Sequence, residues 1–204
     1  MNDTQRLRIA GWCGIIGGLI WFLTTVLFDV LFPAAVPPGT SGYTILLGII
    51  AVDLVLLLIG FFGIRWGGAL GGRFGTIVFA VAVLGYGLMV VGTVMQMAGI
   101  GPLSDPPDNV SLIFLLGRLI AVVFGFLTGI VVLTARRWQG WTRYAPLLLG
   151  LFPIFGELLP VFLAGGPNEI LIALWGLFGA LLGLAILAQT WSIHVSDAIA
   201  VAHS

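Results

Sequence analysis

Phe152-Pro153-Ile154-Phe155-Gly156-Glu157-Leu158-Leu159-Pro160 sets one carboxylate inside an apolar run, with a proline on either side and a glycine just before it. In water such a stretch breaks a helix and does little else. Here 60% of the residues are hydrophobic and 8% are charged, so lipid is the solvent to reason with. A carboxylate at the centre of a lipid-embedded helix costs on the order of 2.5–3.5 kcal/mol unless a partner or water meets it. The rest of the chain reads as the surroundings of that group.

Six apolar runs flank or contain it, each close to the 20 residues that cross a hydrocarbon core about 30 Å thick. They are 9–32, 43–64, 74–98, 110–134, 145–163 and 169–191. Lipid cannot satisfy exposed backbone, and the runs are too long and continuous for barrel strands, so each is expected to be a helix. The fold class is therefore all-α: a polytopic integral membrane protein, a single bundle of six transmembrane helices followed by a short tail, 192–204. The run from Ile9 to Phe32 follows Arg6 and Arg8 but exceeds the 7–15 apolar residues of a signal peptide. It reads as a retained first helix.

The connections carry turn-forming residues. Pro33 to Gly42, Gly99 to Asn109 and Gly165-Gly166-Pro167-Asn168 alternate with two short basic loops, Arg65 to Arg73 and Ala135 to Arg143. Arg6, Arg8, Arg65, Arg73, Arg136, Arg137 and Arg143 all fall on one side of this topology, and the opposite loops hold no Lys or Arg. The positive-inside rule then places both termini in the cytoplasm, with the protein in the cell membrane.

A loose repeat accompanies the topology. Odd-numbered helices begin Arg8-Ile9-Ala10, Arg73-Phe74-Gly75 and Arg143-Tyr144-Ala145; even-numbered ones end at Trp66, Trp138 and Trp191. That parses as three tandem helix hairpins. Interfacial anchoring by Arg and Trp accounts for the same pattern without any repeat. Glycines spaced by four, Gly14 and Gly18, Gly125 and Gly129, Gly179 and Gly183, are expected to let helices approach closely, inside the bundle or at a homo-oligomer interface.

Apart from Glu169 at the very start of the last run, four charges lie within the runs: Asp29, Asp53, Arg118 and Glu157. At about 1.5 Å per residue all four fall near the midplane or in the outer half, on four different helices. One reading is a structural pairing of Arg118 with Glu157 or Asp53, because buried charges usually pair. The other is a ligand site opening outward, with Glu157 the protonatable or cation-coordinating group, Arg118 the counter-charge, Asp53 central and Asp29 peripheral. Pro153 and Pro160 each remove a backbone donor, so the fifth helix is expected to kink around Gly156 and Glu157. Transporters use such broken helices for ligand contacts, and a plain packing kink is the simpler account.

Other chemistries find no footing. Net charge is zero, which gives no basis for a nucleic-acid partner. Cys13 is the single cysteine, and the two histidines, His194 and His203, lie in the tail. No metal site, cofactor or nucleophile–base constellation is expected, nor an enzyme. Gly67-Gly68-Ala69-Leu70-Gly71-Gly72 resembles a phosphate loop only in composition; it follows no strand, carries no lysine and reads as a flexible turn. The function expected is a transporter- or channel-like membrane protein with a solute, proton or cation site in the outer half of the bundle. The alternative is an accessory subunit of a larger membrane complex with no substrate of its own.

Overall fold

The computed structural model describes residues 2–32, 36–37, 39–99, 112–164 and 168–202; at 29, 157, 158, 161, 162, 164 and 191–202 it describes the backbone. These residues form seven α-helices and no strand. α1 (Asp3–Thr25) continues into a π-turn, Val26–Leu31, and is followed by α2 (Ser41–Trp66), α3 (Arg73–Met97) and α4 (Leu112–Ala135). A 3-10 turn, Gly140–Tyr144, leads into α5 (Ala145–Pro153), a second π-turn (Ile154–Leu158), α6 (Leu159–Ala164) and α7 (Glu169–Ala202).

Among the described residues, five helices are long and apolar enough to cross a membrane: α1, α2, α3, α4 and α7. The fifth run differs from the expected single helix. Its two prolines divide it into α5 and α6, neither of which is membrane-length alone. The last helix departs the other way, since α7 runs on through 192–202, where a tail is expected. After Gly183 the chain has no glycine or proline to stop it.

Local signals set the helix starts. Asn2 accepts the Gln5 N–H at 2.8 Å, and Gln5 returns the bond to the Asn2 N–H at 3.3 Å. Thr40 caps α2 through Tyr43 N–H, and Asn168 caps α7 through Leu171 N–H. α4 stops at Arg136, which adopts the left-handed conformation at φ 53°.

The helices form a closed ring. Chain neighbours pack in order, α1 on α2, α2 on α3, α3 on α4, α4 on α5 and α5 on α7, and α7 returns against α1. The α1–α7 seam is extensive and the α5–α7 seam slight among the described residues.

Small residues dominate the buried face of α1, with Leu7 and Trp21 as the large exceptions. α1 turns Ala10, Gly11, Gly14, Gly17 and Gly18 to the interior and presents Ile9, Trp12, Ile16, Leu19 and Leu23 outward. The outward stripe repeats every three or four residues, one helical face. Small interior residues with large apolar residues outside suit close helix packing in an apolar solvent. Gly14 shows why. A methyl group there would stand 3.1 Å from Gly183 Cα, and one on Gly60 would stand 2.7 Å from Gly14 Cα, so α1, α2 and α7 meet at backbone contact.

Candidate functional site: an orphaned carboxylate at mid-helix

Asp53 lies twelve residues from the start of α2 and thirteen from its end. At about 1.5 Å per residue that is about 18–20 Å from either end. The residue is fully buried, at 0% exposure. Its turn is pressed into the seam with α1: a methyl group on Gly17 would stand 3.0 Å from both Asp53 O and Leu57 N. The adjacent Leu54 N–H lies near the carboxylate, yet among the described residues neither oxygen meets a hydrogen-bond partner. Buried side-chain oxygens are nearly always bonded, because leaving one bare costs about 1–3 kcal/mol and more if it is charged.

Arg118 is not its partner. No ion pair joins the two among the described residues. The arginine is half-buried on α4, with its guanidinium 5.9 Å from the Phe114 ring centroid and engaged in further contacts. The reason is the ring order. Gly117 fixes this turn of α4 against α3, where an added methyl would lie 2.7 Å from Gly85 O, whereas Asp53 belongs to the α1–α2 seam.

Asp29 and Glu157 share an unexpected backbone setting, since each rides on a π-turn that packs against α7. Their side chains lie outside the described residues. The backbone around Glu157 answers the question raised by the prolines. Pro153 cannot donate to Leu149 O, and the indole N–H of Trp175 does so instead, at 3.1 Å. Pro160 cannot donate to Gly156 O, and the Asn168 N–H takes that place at 2.9 Å. Both freed carbonyls are therefore bonded within the bundle. Gly156 itself is packed on α7, where a methyl group would meet Leu171 Cβ at 2.9 Å. The break between α5 and α6 closes on protein.

The glycine pairs divide by seam. Gly14 and Gly18 face Gly176, Gly179 and Gly183 across the α1–α7 contact. Gly129 meets Leu147, while Gly125 has nothing within 4 Å of an added methyl, although Gly150 packs against its carbonyl carbon.

A buried aromatic group of Trp21, Trp175, Tyr86 and Phe61 crosses the bundle. Trp21 meets Trp175 edge-on at 4.8 Å, Trp175 stacks on Tyr86 at 6.2 Å, and Tyr86 lies 5.2 Å from Phe61. Four helices thus join through one aromatic chain. Trp21 also donates to Ile172 O at 3.1 Å. Trp12 and Trp141, by contrast, are more than half or half exposed at 57% and 50%, as interfacial anchors would be. Sequence offers one usable signal for the inner pair: both tryptophans sit well inside their runs, away from the ends where anchors belong.

The buried hydroxyls of Thr93 and Thr128 have local partners. Thr93 donates to Met89 O and Thr128 to Phe124 O, each one turn back. Asp53 stands apart from these self-satisfied groups. No family model matches the chain, and no match emerges among curated proteins or among solved structures.

Proposed function

We propose that this chain is a multi-pass membrane protein that holds a proton or a small cation at Asp53. The membrane assignment rests on five membrane-length helices and on the large apolar residues turned outward along them. The arginines at one end orient it with that end in the cytoplasm. The single observation that carries the site is the Asp53 carboxylate, buried at mid-helix with both oxygens bare. A carboxylate in that position is tolerated when it is protonated or when a cation compensates its charge, and ionisable groups at membrane depth often mark ion and proton pathways. The site moves from the Glu157 kink, whose backbone is satisfied internally, to the straight middle of α2.

The test is thermal stability of the detergent-purified protein across monovalent and divalent cations at constant ionic strength. A cation at about 100 times its dissociation constant adds about 2.7 kcal/mol to the folded state. One cation is expected to stabilise wild type, to lose its effect in Asp53→Asn and to keep it in Glu157→Gln. If no cation acts and proton uptake on folding is the same in wild type and Asp53→Asn, the site reading fails. The accessory-subunit reading then takes its place.

A further inference from the structure

The Gly67–Gly72 loop reads in sequence as an idle turn, but the structure builds a cleft on it. Arg65, Arg73 and Arg137 line a cavity of about 710 Å³ together with the loop glycines, Thr76, Leu70 and Ile77, and no carboxylate is among the lining residues. Three elements contribute the charge: the end of α2, the start of α3 and the turn after α4. The loop is shaped for this. Gly68 and Gly71 take left-handed conformations at φ 66° and 70°, which turns the chain tightly between α2 and α3.

Two of the loop's carbonyls are engaged by donors from the α4 end. Gly67 O accepts from the Trp138 indole at 3.1 Å, and Gly68 O accepts from Arg137 at 3.3 Å. That second bond also anchors the Arg137 side chain to the loop. Arg73 opens α3, where the helix dipole disfavours a cation, and Gly72 gives the helix no side-chain cap. Three guanidinium groups around one concavity repel one another, and an anion removes that cost. Guanidinium forks match phosphate oxygens in pairs.

We propose that this cleft binds a phosphate-bearing anion through Arg65, Arg73 and Arg137. The chemistry is shared by an anionic lipid headgroup at the membrane surface and by a free phosphate compound. The proposal is independent of the Asp53 site, which lies about 18 Å along α2 from Arg65 at 1.5 Å per residue.

Two probes separate the sources on the full detergent-purified chain: inorganic phosphate, and phosphatidylglycerol against phosphatidylcholine, read by native mass spectrometry and by melting temperature. Phosphatidylglycerol adducts with no phosphate response mean a headgroup site; a phosphate response alone means a soluble ligand. Either way, Arg73→Gln is expected to weaken binding about tenfold, the effect of one lost charge-assisted contact. Because Arg137→Gln also removes a loop hydrogen bond, Arg65→Gln serves as the second variant, with the same expected loss. Arg6→Gln, at the same end of the bundle but paired with Asp3 at 3.9 Å, is the control and should bind as wild type does. Equal losses in all variants, or no response to either probe beyond that to chloride, would overturn the cleft as a built site.

Discussion

Segment 145–164 and the middle of α2 invert what their sequences suggest. The first has two prolines, a π-turn and two carbonyls cut off from their helix partners, yet the bundle returns a donor to each: Trp175 to Leu149 O and Asn168 to Gly156 O. The second is an uninterrupted 26-residue helix with nothing irregular in its backbone, and it holds the carboxylate whose two oxygens remain bare. A broken helix is therefore no sign of an unmet polar group, and a straight one is no sign of its absence. What distinguishes the regions is whether a donor from another helix reaches the group.

Four substitutions press on that comparison. Trp175→Phe deletes the donor that serves Leu149 O, and leaving that carbonyl bare is expected to lower stability by about 2–3 kcal/mol. Thermal unfolding in detergent measures it. Adding Pro153→Ala returns a backbone N–H to the helix and should recover about 1 kcal/mol, a coupling visible as non-additivity in the double variant. Additive losses would mean that the indole does not substitute for the missing amide.

Asp53→Leu acts in the opposite direction. It replaces an orphaned polar group by an apolar one of similar branching, so the protein without added cations should gain about 1–2 kcal/mol while losing any cation response. A loss of stability would show that the carboxylate has a structural partner and would erase the contrast with segment 145–164. The smallest change is expected from Thr128→Val. Its hydroxyl bonds the Phe124 carbonyl of its own helix, and the swap should cost less than about 1 kcal/mol by the same unfolding measurement. A larger cost would mean that local hydroxyl bonds contribute more than the comparison allows, and Asp53 would lose its distinction.

The legible part of the site was its inventory. Charges inside apolar runs are few, so Asp29, Asp53, Arg118 and Glu157 stand out in the sequence, and the prolines mark where the fifth run breaks. Their relations were not legible. Arg118 and Asp53 lie at compatible depths along their helices, but depth says nothing about which seam a residue faces. Seam membership is set by Gly14, Gly17, Gly60, Gly85 and Gly117, whose contacts fix the rotation of each helix about its own axis. A rotation of 100° per residue turns a correct depth into a wrong neighbour. The partner of a freed carbonyl is hidden for a similar reason, because Trp175 and Leu149 are 26 residues apart and meet only when α7 packs on α5.

The arginine cleft divides along the same line. That the basic residues share one end follows from the alternation of apolar runs with short loops, a property of chain length and composition. That three of them converge on one cavity depends on the left-handed turns at Gly68 and Gly71 and on the Trp138 and Arg137 bonds that draw the α4 end onto the loop.

By itself the sequence determined the all-helical class, the approximate bounds of α1 to α4 and the start of α7, because each follows from the hydropathy and turn chemistry of neighbouring residues. Only the tertiary structure decided which buried polar groups found partners. Partnership depends on contacts between residues far apart in the chain, and these form only when the helices close into their ring.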